Sequence, residues 1–239
     1  MPPSIAVLGA GPALGRAVAH RYARAGHTVV LVARRRPALE RLADELAAAG
    51  ARVHAVAADL ADTDAVDGLA RRIRSRVGDP DVVYYGAAAD GFTAAVDLTP
   101  QRARDLMPLG VYTPLALVQA FLPAMLDRGS GAILTAQGAS AVRGTPHIAG
   151  GLALAAQRNY LQALHAEVAG RGVYVGGLYI GAVIEGSAFH AHREAARAAG
   201  APVPDLPTVD PAHLADLLHD LQTAGTRPEA TYPEDPAGR

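Results

Sequence analysis

The stretch VLGAGPALG, residues 7–15, decides the fold of this chain. It continues the apolar run of residues 4–10 and leads into a segment with helical periodicity. Gly9, Gly11 and Gly15 divide it with the spacing G-x-G-x-x-x-G. Glycines between a strand and a helix let the backbone approach a phosphate closely, and the N-terminus of the helix stabilises negative charge. The stretch therefore predicts a pyrophosphate-binding turn that opens a strand–helix–strand unit.

The rest of the chain alternates apolar runs with helical patterns. The predicted strands are 4–10, 27–34, 51–60, 81–88, 131–138 and 172–181, with a short last strand at 229–234. The predicted helices are 13–25, 37–50, 63–77, 100–128, 149–170, 185–200 and 211–225. This alternation, with right-handed crossovers, predicts an α/β fold: a Rossmann-like, doubly wound parallel sheet in a three-layer α/β/α arrangement. We expect a single domain over 1–239, with a C-terminal elaboration at about 182–239.

Composition and charge limit the function classes. Half of the residues are hydrophobic and 19% are charged, as in a globular protein. A net charge of −1 predicts no nucleic-acid or membrane partner. The absence of cysteine excludes disulfides and Cys-ligated metals, and no metal is predicted. No signal-peptide pattern and no apolar run of bilayer-spanning length are found, so the cytoplasm is the expected location.

Arginines follow the second predicted strand in the stretch VARRRP, residues 32–37. A guanidinium binds a 2′-phosphate bidentately, which favours NADP(H) over NAD(H), although surface arginines at a helix start are the alternative. Asp59, after the third strand, is predicted at an adenine edge or, alternatively, as a charge at a helix N-terminus. The predicted cofactor-binding residues are Gly9, Gly11, Ala13, Leu14, Gly15, Arg34, Arg35, Asp59, Leu60 and Gly86.

With these motifs the chain resembles the short-chain dehydrogenase/reductase family over essentially its whole length. The matching pieces are GAGPALG at 9–15, AADL at 57–60, LPAM at 122–125, GAIL at 131–134 and RGTP at 143–146. The resemblance implies an oxidoreductase whose cofactor lies along the C-terminal edge of the sheet. It also implies a substrate cleft closed by the segment after the sixth strand.

The family's catalytic residues are an Asn, a Ser and a Tyr-x-x-x-Lys pair, in which the Tyr transfers a proton and the Lys lowers its pKa. With RGTP as the anchor, the Tyr and Lys positions fall on Gly151 and Ala155. The Ser position falls on Gly138 and the Asn position on about Met107. The chain has no lysine, so no register restores the pair, and its one asparagine lies in the fifth predicted helix.

Loops above the strand ends offer other side chains for chemistry. The candidates are Tyr84, Tyr85, Gln137, Ser140, His147 and Glu185. His147 could move a proton near neutrality, or it is a solvated surface group. Ser140 could substitute at the Ser position, and Tyr85 could instead be an apolar lid over the cofactor. Tyr160 lies nearly opposite in helical phase to the Tyr position, where packing or a dimer contact is expected.

Three functions remain open at this point. The first is an NADP(H)-dependent oxidoreductase with non-standard catalytic residues, acting on a small or medium apolar carbonyl, enone or imine. The second is a non-redox cyclase, isomerase or dehydratase that reuses the cleft. The third is a catalytically inactive protein that senses NADP(H) or binds a partner. The resemblance further implies a homodimer or homotetramer formed through the fourth and fifth predicted helices, which are apolar here.

Overall fold

Parallel strands alternate with helices along the residues that the computed structural model describes, which are 2–88, 92–146, 148–201, 203 and 205–234. The strands are β1 Ser4–Leu8, β2 Thr28–Ala33, β3 Val53–Ala57, β4 Val82–Tyr85, β5 Gly131–Gly138, β6 Val173–Ile180, β7 Val183–Ile184, β8 Thr208–Val209 and β9 Glu229–Tyr232. The helices are α1 Leu14–Arg24, α2 Arg36–Ala48, α3 Val66–Val77, α4 Pro100–Met107, α5 Thr113–Arg128, α6 Gly151–Val168, α7 Ala188–Ala198 and α8 Pro211–Ala224.

Seven strands form one parallel sheet in the order β3-β2-β1-β4-β5-β6-β9. All five residues of β1 are buried because helices cover both faces of the sheet, which explains its unbroken apolar run. The strand order reverses between β1 and β4, and ligands bind at such a switch point in open α/β sheets. The predicted Rossmann-like fold, including the short last strand, is confirmed.

Two layers of helices enclose the sheet. The apolar faces of α1, α2 and α8 pack into one core, and those of α3, α5 and α6 pack into the other. Tyr84 points into the first core and Tyr85 into the second, because successive side chains of a strand alternate between faces. Both hydroxyl-bearing rings therefore lie inside the protein and not above the strand ends.

The long helix predicted over 100–128 is interrupted by a π-helical turn at Pro108–Tyr112, between α4 and α5. Pro114 has no N–H to donate to the carbonyls one turn earlier, those of Leu109 and Gly110. Two buried side chains donate instead: the Tyr85 hydroxyl bonds the Leu109 carbonyl at 2.7 Å, and Gln157 Nε2 bonds the Gly110 carbonyl at 2.9 Å. The π turn is thus fixed by its neighbours on β4 and α6.

This helical segment, Pro100–Arg128, is long and apolar enough to cross a membrane by length and composition. The expectation that no apolar segment has bilayer-spanning length is therefore wrong. The helix is apolar because part of it belongs to the core, where Leu117, Val118, Phe121 and Met125 are buried against the sheet.

The C-terminal elaboration contains a feature that sequence periodicity did not predict. β7 and β8 form a separate two-stranded parallel ladder, and strands of two residues are too short to show a pattern. Arg193 of α7 is buried and holds the neighbouring loop by donating from Nη1 to the Leu206 carbonyl at 2.9 Å. This hydrogen bond holds α7 to the loop before β8 within the segment after β6.

Candidate functional site

The glycine turn after β1 has no room for side chains at two of its positions. Gly9 has φ +99°, and a Cβ there would lie 2.7 Å from the Ala87 amide nitrogen. A Cβ at Gly15 would lie only 2.1 Å from the Gly9 carbonyl oxygen. At Gly11 the nearest atom would be 3.9 Å away, so that position is open toward the pocket described next. Close packing therefore requires glycine at 9 and 15.

A pocket of about 530 Å³ lies above this turn at the carboxyl ends of the strands. We call it the glycine-turn pocket. Seven of the ten residues predicted to bind a cofactor line it: Gly9, Gly11, Arg34, Arg35, Asp59, Leu60 and Gly86. The other three, Ala13, Leu14 and Gly15, form the cap and first turn of α1.

The N-terminus of α1 has no acidic side chain of its own that would compete with a bound phosphate. Its N-cap residue, Ala13, contributes no side-chain hydrogen bond, and its first turn contains no acidic residue. The amides of a helix start carry partial positive charge and bind anions when no cap satisfies them. A phosphate group fits this end of the pocket.

Arginines dominate the charge of the glycine-turn pocket. Arg16 is paired with Glu45, and the hydrogen bond from Arg16 lowers the pKa of that carboxyl. Arg34, Arg35 and Arg41 line the pocket without an ion pair to any residue that the structure describes. Arg41, on α2, was not predicted from sequence because it lies one turn inside the helix.

Asp59 makes a local contact. Its Oδ1 accepts a hydrogen bond from the Ala61 amide at 3.0 Å, as in a turn closed by an aspartate. The next helical turn begins at Thr63 and is capped by Asp62, so Asp59 is not the charge at a helix N-terminus. Asp59 lines the glycine-turn pocket, and its contact with an adenine edge stays a prediction.

A second and larger space, of about 960 Å³, adjoins the first. We call it the apolar cleft. Ala88 lines both spaces, and the π turn separates them, with Leu109 on the side of the glycine-turn pocket and Gly110 on the side of the cleft. Most of its wall is apolar: Phe92, Leu106, Val142, Ile148, Leu154, Ile180, Phe189 and Leu206. The two spaces therefore adjoin at Ala88.

The positions aligned with the family's catalytic residues differ in where they lie. Gly138 lines the apolar cleft, whereas Ala155 is exposed and outside its wall. Met107 is half-buried at the end of α4 and also outside the cleft wall. A Cβ at Gly151 would lie 2.6 Å from the carbonyl oxygen and 2.9 Å from the Cβ of Ser140. Ser140 thus fills the volume that a larger side chain at 151 would need.

Of the other candidates, Ser140 alone among the described residues lies in the cleft wall. Tyr85 is buried with its hydroxyl bonded to Leu109, and burial raises the pKa values of Tyr84 and Tyr85 well above the usual range. These positions contradict the idea of either tyrosine as a cleft acid or a cofactor lid. Glu185 is exposed and outside both spaces, which contradicts its prediction as a side chain for chemistry above the strand ends.

Gln137 also lies outside the cleft wall. It is buried on β5, where Nε2 donates to Thr135 Oγ1 at 3.3 Å in the polar network that includes Gln157. Its Oε1 has no partner among the described residues. His147 falls outside the residues that the structure describes.

Tyr160 and His190 have structural roles. Tyr160 packs against the core formed by α3, α5 and α6, and burial raises its pKa. His190 Nδ1 accepts from the Gly186 amide at 3.2 Å. Within 2–234, apart from the gaps at 89–91, 147, 202 and 204, no three His, Cys, Asp or Glu side chains are grouped as metal ligands.

Sequence reasoning missed several cleft residues. Tyr232 on β9 lines the cleft, and its ring contacts His213 edge-on at 5.4 Å. Phe92 and Phe189 stack at 4.6 Å between the loop after β4 and α7. These residues are far apart in the chain, and no local spacing connects them. For Tyr232 the sequence offered one signal, the short last strand at 229–234 that contains this tyrosine.

Comparison with known proteins agrees with this geometry. A sequence profile described as short chain dehydrogenase matches residues 3–195. The chain is 40% identical over 125 residues to a 1-deoxy-11-beta-hydroxypentalenate dehydrogenase of Streptomyces arenae, covering 52% of this chain and 44% of that protein. It is 34% identical over 181 residues to an uncharacterized oxidoreductase of Myxococcus xanthus, covering 74% and 70%.

A solved structure is similar over nearly the whole chain. It comes from Beutenbergia cavernae, contains NADP bound at low occupancy and is named provisionally as an NAD(P)-dependent gluconate 5-dehydrogenase. The TM-score is 0.81 at 30% identity, covering 95% of this chain and 93% of that one. The profile covers well over half of the sequence, and the glycine turn, sheet order and adjoining cleft are consistent with it. The chain belongs to the short-chain dehydrogenase family of oxidoreductases.

Proposed function

We propose that this protein binds NADP(H) in the glycine-turn pocket and transfers hydride to or from a small or medium apolar carbonyl, enone or imine held in the apolar cleft. The observation that carries this proposal is the contact between the two spaces at Ala88 and the π turn. A cofactor with its phosphates on the glycine turn and its reactive ring toward Ala88 would meet a molecule in the cleft directly.

The cofactor preference follows from charge. Arg34 and Arg35 lie where the 2′-position of the adenosine ribose comes in this fold, and neither pairs with a described acid. Guanidinium groups bind a phosphate strongly, and an acid that would favour the 2′-hydroxyl of NAD(H) does not follow β2. The NADP bound to the Beutenbergia cavernae protein, 30% identical to this chain, supports the same choice.

The remaining chemistry belongs to the cleft. The bound cofactor supplies the hydride, while the apolar wall holds the substrate and excludes water from it. Ser140 and Tyr232 are hydroxyl-bearing residues of that wall, and Ser140 is available to bond a substrate oxygen. Without a positioned general acid the rate falls by roughly 10²–10⁴-fold, so substrates that need less protonation, such as enones and imines, are favoured over simple ketones.

Two measurements test this proposal. Titration of NADPH and NADH fluorescence with the protein should give binding of both, with NADPH the tighter. Loss of the reduced-cofactor absorbance should then follow the addition of members of a panel of ketones, enones and imines. The absence of binding by either cofactor would refute the proposal.

A second function, cofactor binding without redox turnover, is favoured by the packing at Gly151. Because Ser140 fills this volume, the cleft has no space for a tyrosine at the position where the resemblance expects one. A non-redox cyclase, isomerase or dehydratase would likewise use the apolar cleft without a tyrosine at position 151. Tight NADPH binding combined with a silent absorbance panel would favour this second function.

We also propose a homodimer or homotetramer through α5 and α6. Tyr112, just before α5, and Leu152 on α6 are about half exposed, at 54% and 48%, although both are large and apolar. Light scattering of the eluting protein should give a multiple of 24.6 kDa. Leu152→Arg should shift that mass toward the monomer, and an unchanged mass would contradict the use of this face.

A further inference from the structure

One wall of the apolar cleft is made by a short segment that presents hydrogen-bond donors. Ser140, Arg143 and Thr145 all line the cleft, from the turn after β5 and the loop that follows it. The serine and threonine hydroxyls each donate one hydrogen bond, and the guanidinium offers up to five donors with a permanent positive charge. Three donor-bearing side chains therefore line the cleft within residues 140–145.

These donors have no competing partner within the described part of the chain. None of the three side chains makes a hydrogen bond or ion pair with a described residue, whereas Arg158 of α6, outside the cleft, is paired with Glu229 at 2.7 Å. Arg143 and Thr145 are exposed and Ser140 is half-buried, so all three stay accessible to a ligand entering the cleft, and a guanidinium with no internal anion is free to bind one from outside.

Other segments line the cleft with apolar side chains. Leu154 of α6, Ile180 of β6, Phe189 of α7 and Leu206 of the loop before β8 come from four separate segments. The acidic residue in the lining, Glu234, is 82% exposed and lies 3.7 Å from Arg227, so its charge is largely screened by solvent. The space thus combines an apolar body with one cationic, donor-rich wall.

We infer that the apolar cleft binds an apolar carboxylic acid in its ionised form, with the carboxylate on Arg143, Ser140 and Thr145 and the hydrocarbon against α6 and α7. Arginine matches a carboxylate because its planar fork donates two parallel hydrogen bonds. This inference deepens the proposed function and rests on it for the identity of the cleft as the substrate site. It assigns the substrate class as an amphipathic acid bearing the carbonyl, enone or imine elsewhere on its apolar part.

Calorimetric titration with octanoate and with its neutral amide, octanamide, tests the inference directly, because the two probes differ only in the charged group. Wild-type protein should bind octanoate about tenfold more tightly than octanamide, a difference typical of a charge-assisted hydrogen bond. Arg143→Gln should abolish this preference. Ser140→Ala and Thr145→Val should each reduce it by a few-fold.

Arg171→Gln provides a matched control, since Arg171 is exposed and outside both spaces. It should leave the preference unchanged. Equal affinities of the wild type for octanoate and octanamide, no binding of either probe, or a preference that survives Arg143→Gln would each overturn the inference.

NADPH fluorescence on the same preparations separates this inference from the proposed function. NADPH binding with no preference for octanoate would overturn the acid site and leave the oxidoreductase proposal intact. A clear octanoate preference without NADPH or NADH binding would support the acid site and overturn the cofactor assignment.

Discussion

The glycine-turn pocket and the apolar cleft adjoin, yet they are built in different ways. The pocket is lined mainly by residues that directly follow β1, β2, β3 and β4, with further residues from α1 and α2. The cleft is made of side chains from the loops after β4 and β5, from α6, α7 and β9, brought together across the fold. A site formed by local backbone geometry tolerates little change at its glycines, whereas a site formed by distant side chains can lose catalytic groups and keep its shape.

The largest expected effect tests the local geometry of the pocket. Gly15→Ala places a Cβ 2.1 Å from the Gly9 carbonyl oxygen, so the turn must open. We expect a loss of on the order of 3 kcal/mol in unfolding free energy, a fall in Tm of about 6–12 °C, and no measurable NADPH binding.

Gly11→Ala is the matched control for this variant, because the nearest atom to its Cβ is 3.9 Å away. Its Tm should stay close to that of the wild type. Equal thermal stability of the two variants in scanning calorimetry would refute the packing explanation.

The next prediction concerns the cleft. Gly151→Ala should destabilise the protein by roughly 2 kcal/mol, because the Ser140 backbone lies 2.6 Å from the added Cβ and must move. Gly144→Ala, in the same loop region, meets nothing within 4 Å and should be nearly neutral. Urea unfolding of the two variants checks the difference.

Restoring the family's Tyr and Lys at positions 151 and 155 is expected to fail, because Ser140 lies against position 151. Ala155→Lys alone should fold, because Ala155 is exposed. Gly151→Tyr combined with Ala155→Lys should be unstable and gain no reductase activity. A stable double variant with increased activity would contradict the view that Ser140 closes this position.

A smaller effect is expected from charge in the pocket. Arg34→Ala should weaken NADPH binding roughly tenfold or more, the value of a hydrogen bond to a charged group, and should leave NADH binding nearly unchanged. Arg52→Ala, exposed and outside the pocket, is the control. Equal losses for NADPH and NADH in fluorescence titrations would remove the 2′-phosphate assignment.

The smallest effect concerns the wall between the two spaces. Tyr85→Phe leaves the Leu109 carbonyl without its donor and should cost about 1 kcal/mol in urea unfolding. The Tyr85→Phe variant should keep any NADPH oxidation that the wild type shows in the absorbance assay. Tyr112→Phe, exposed beside the same turn, should change neither property. Loss of turnover in Tyr85→Phe with unchanged stability would instead make Tyr85 the proton donor.

Sequence reasoning predicted most of the fold because strand and helix periods are local signals. It placed seven strands and the long helix, but it missed the π turn at Pro108–Tyr112, which depends on donors from Tyr85 and Gln157. Seven of the ten cofactor candidates line one pocket, because they lie in the turns that directly follow the strands and those turns are also local signals. The catalytic candidates did not converge, because strand alternation directs Tyr84 and Tyr85 into opposite cores and Gln137 into a buried network.

The sequence by itself determined the sheet, the glycine turn, the arginines after β2 and the absence of any lysine, since each of these is a property of neighbouring residues or of composition. Only the tertiary structure decided that Ser140 fills the volume beside Gly151, and that Arg143 and Phe189 face one cleft. Those relationships depend on how separate segments pack above the sheet. Packing of that kind depends on the whole core, so no local sequence pattern predicts it.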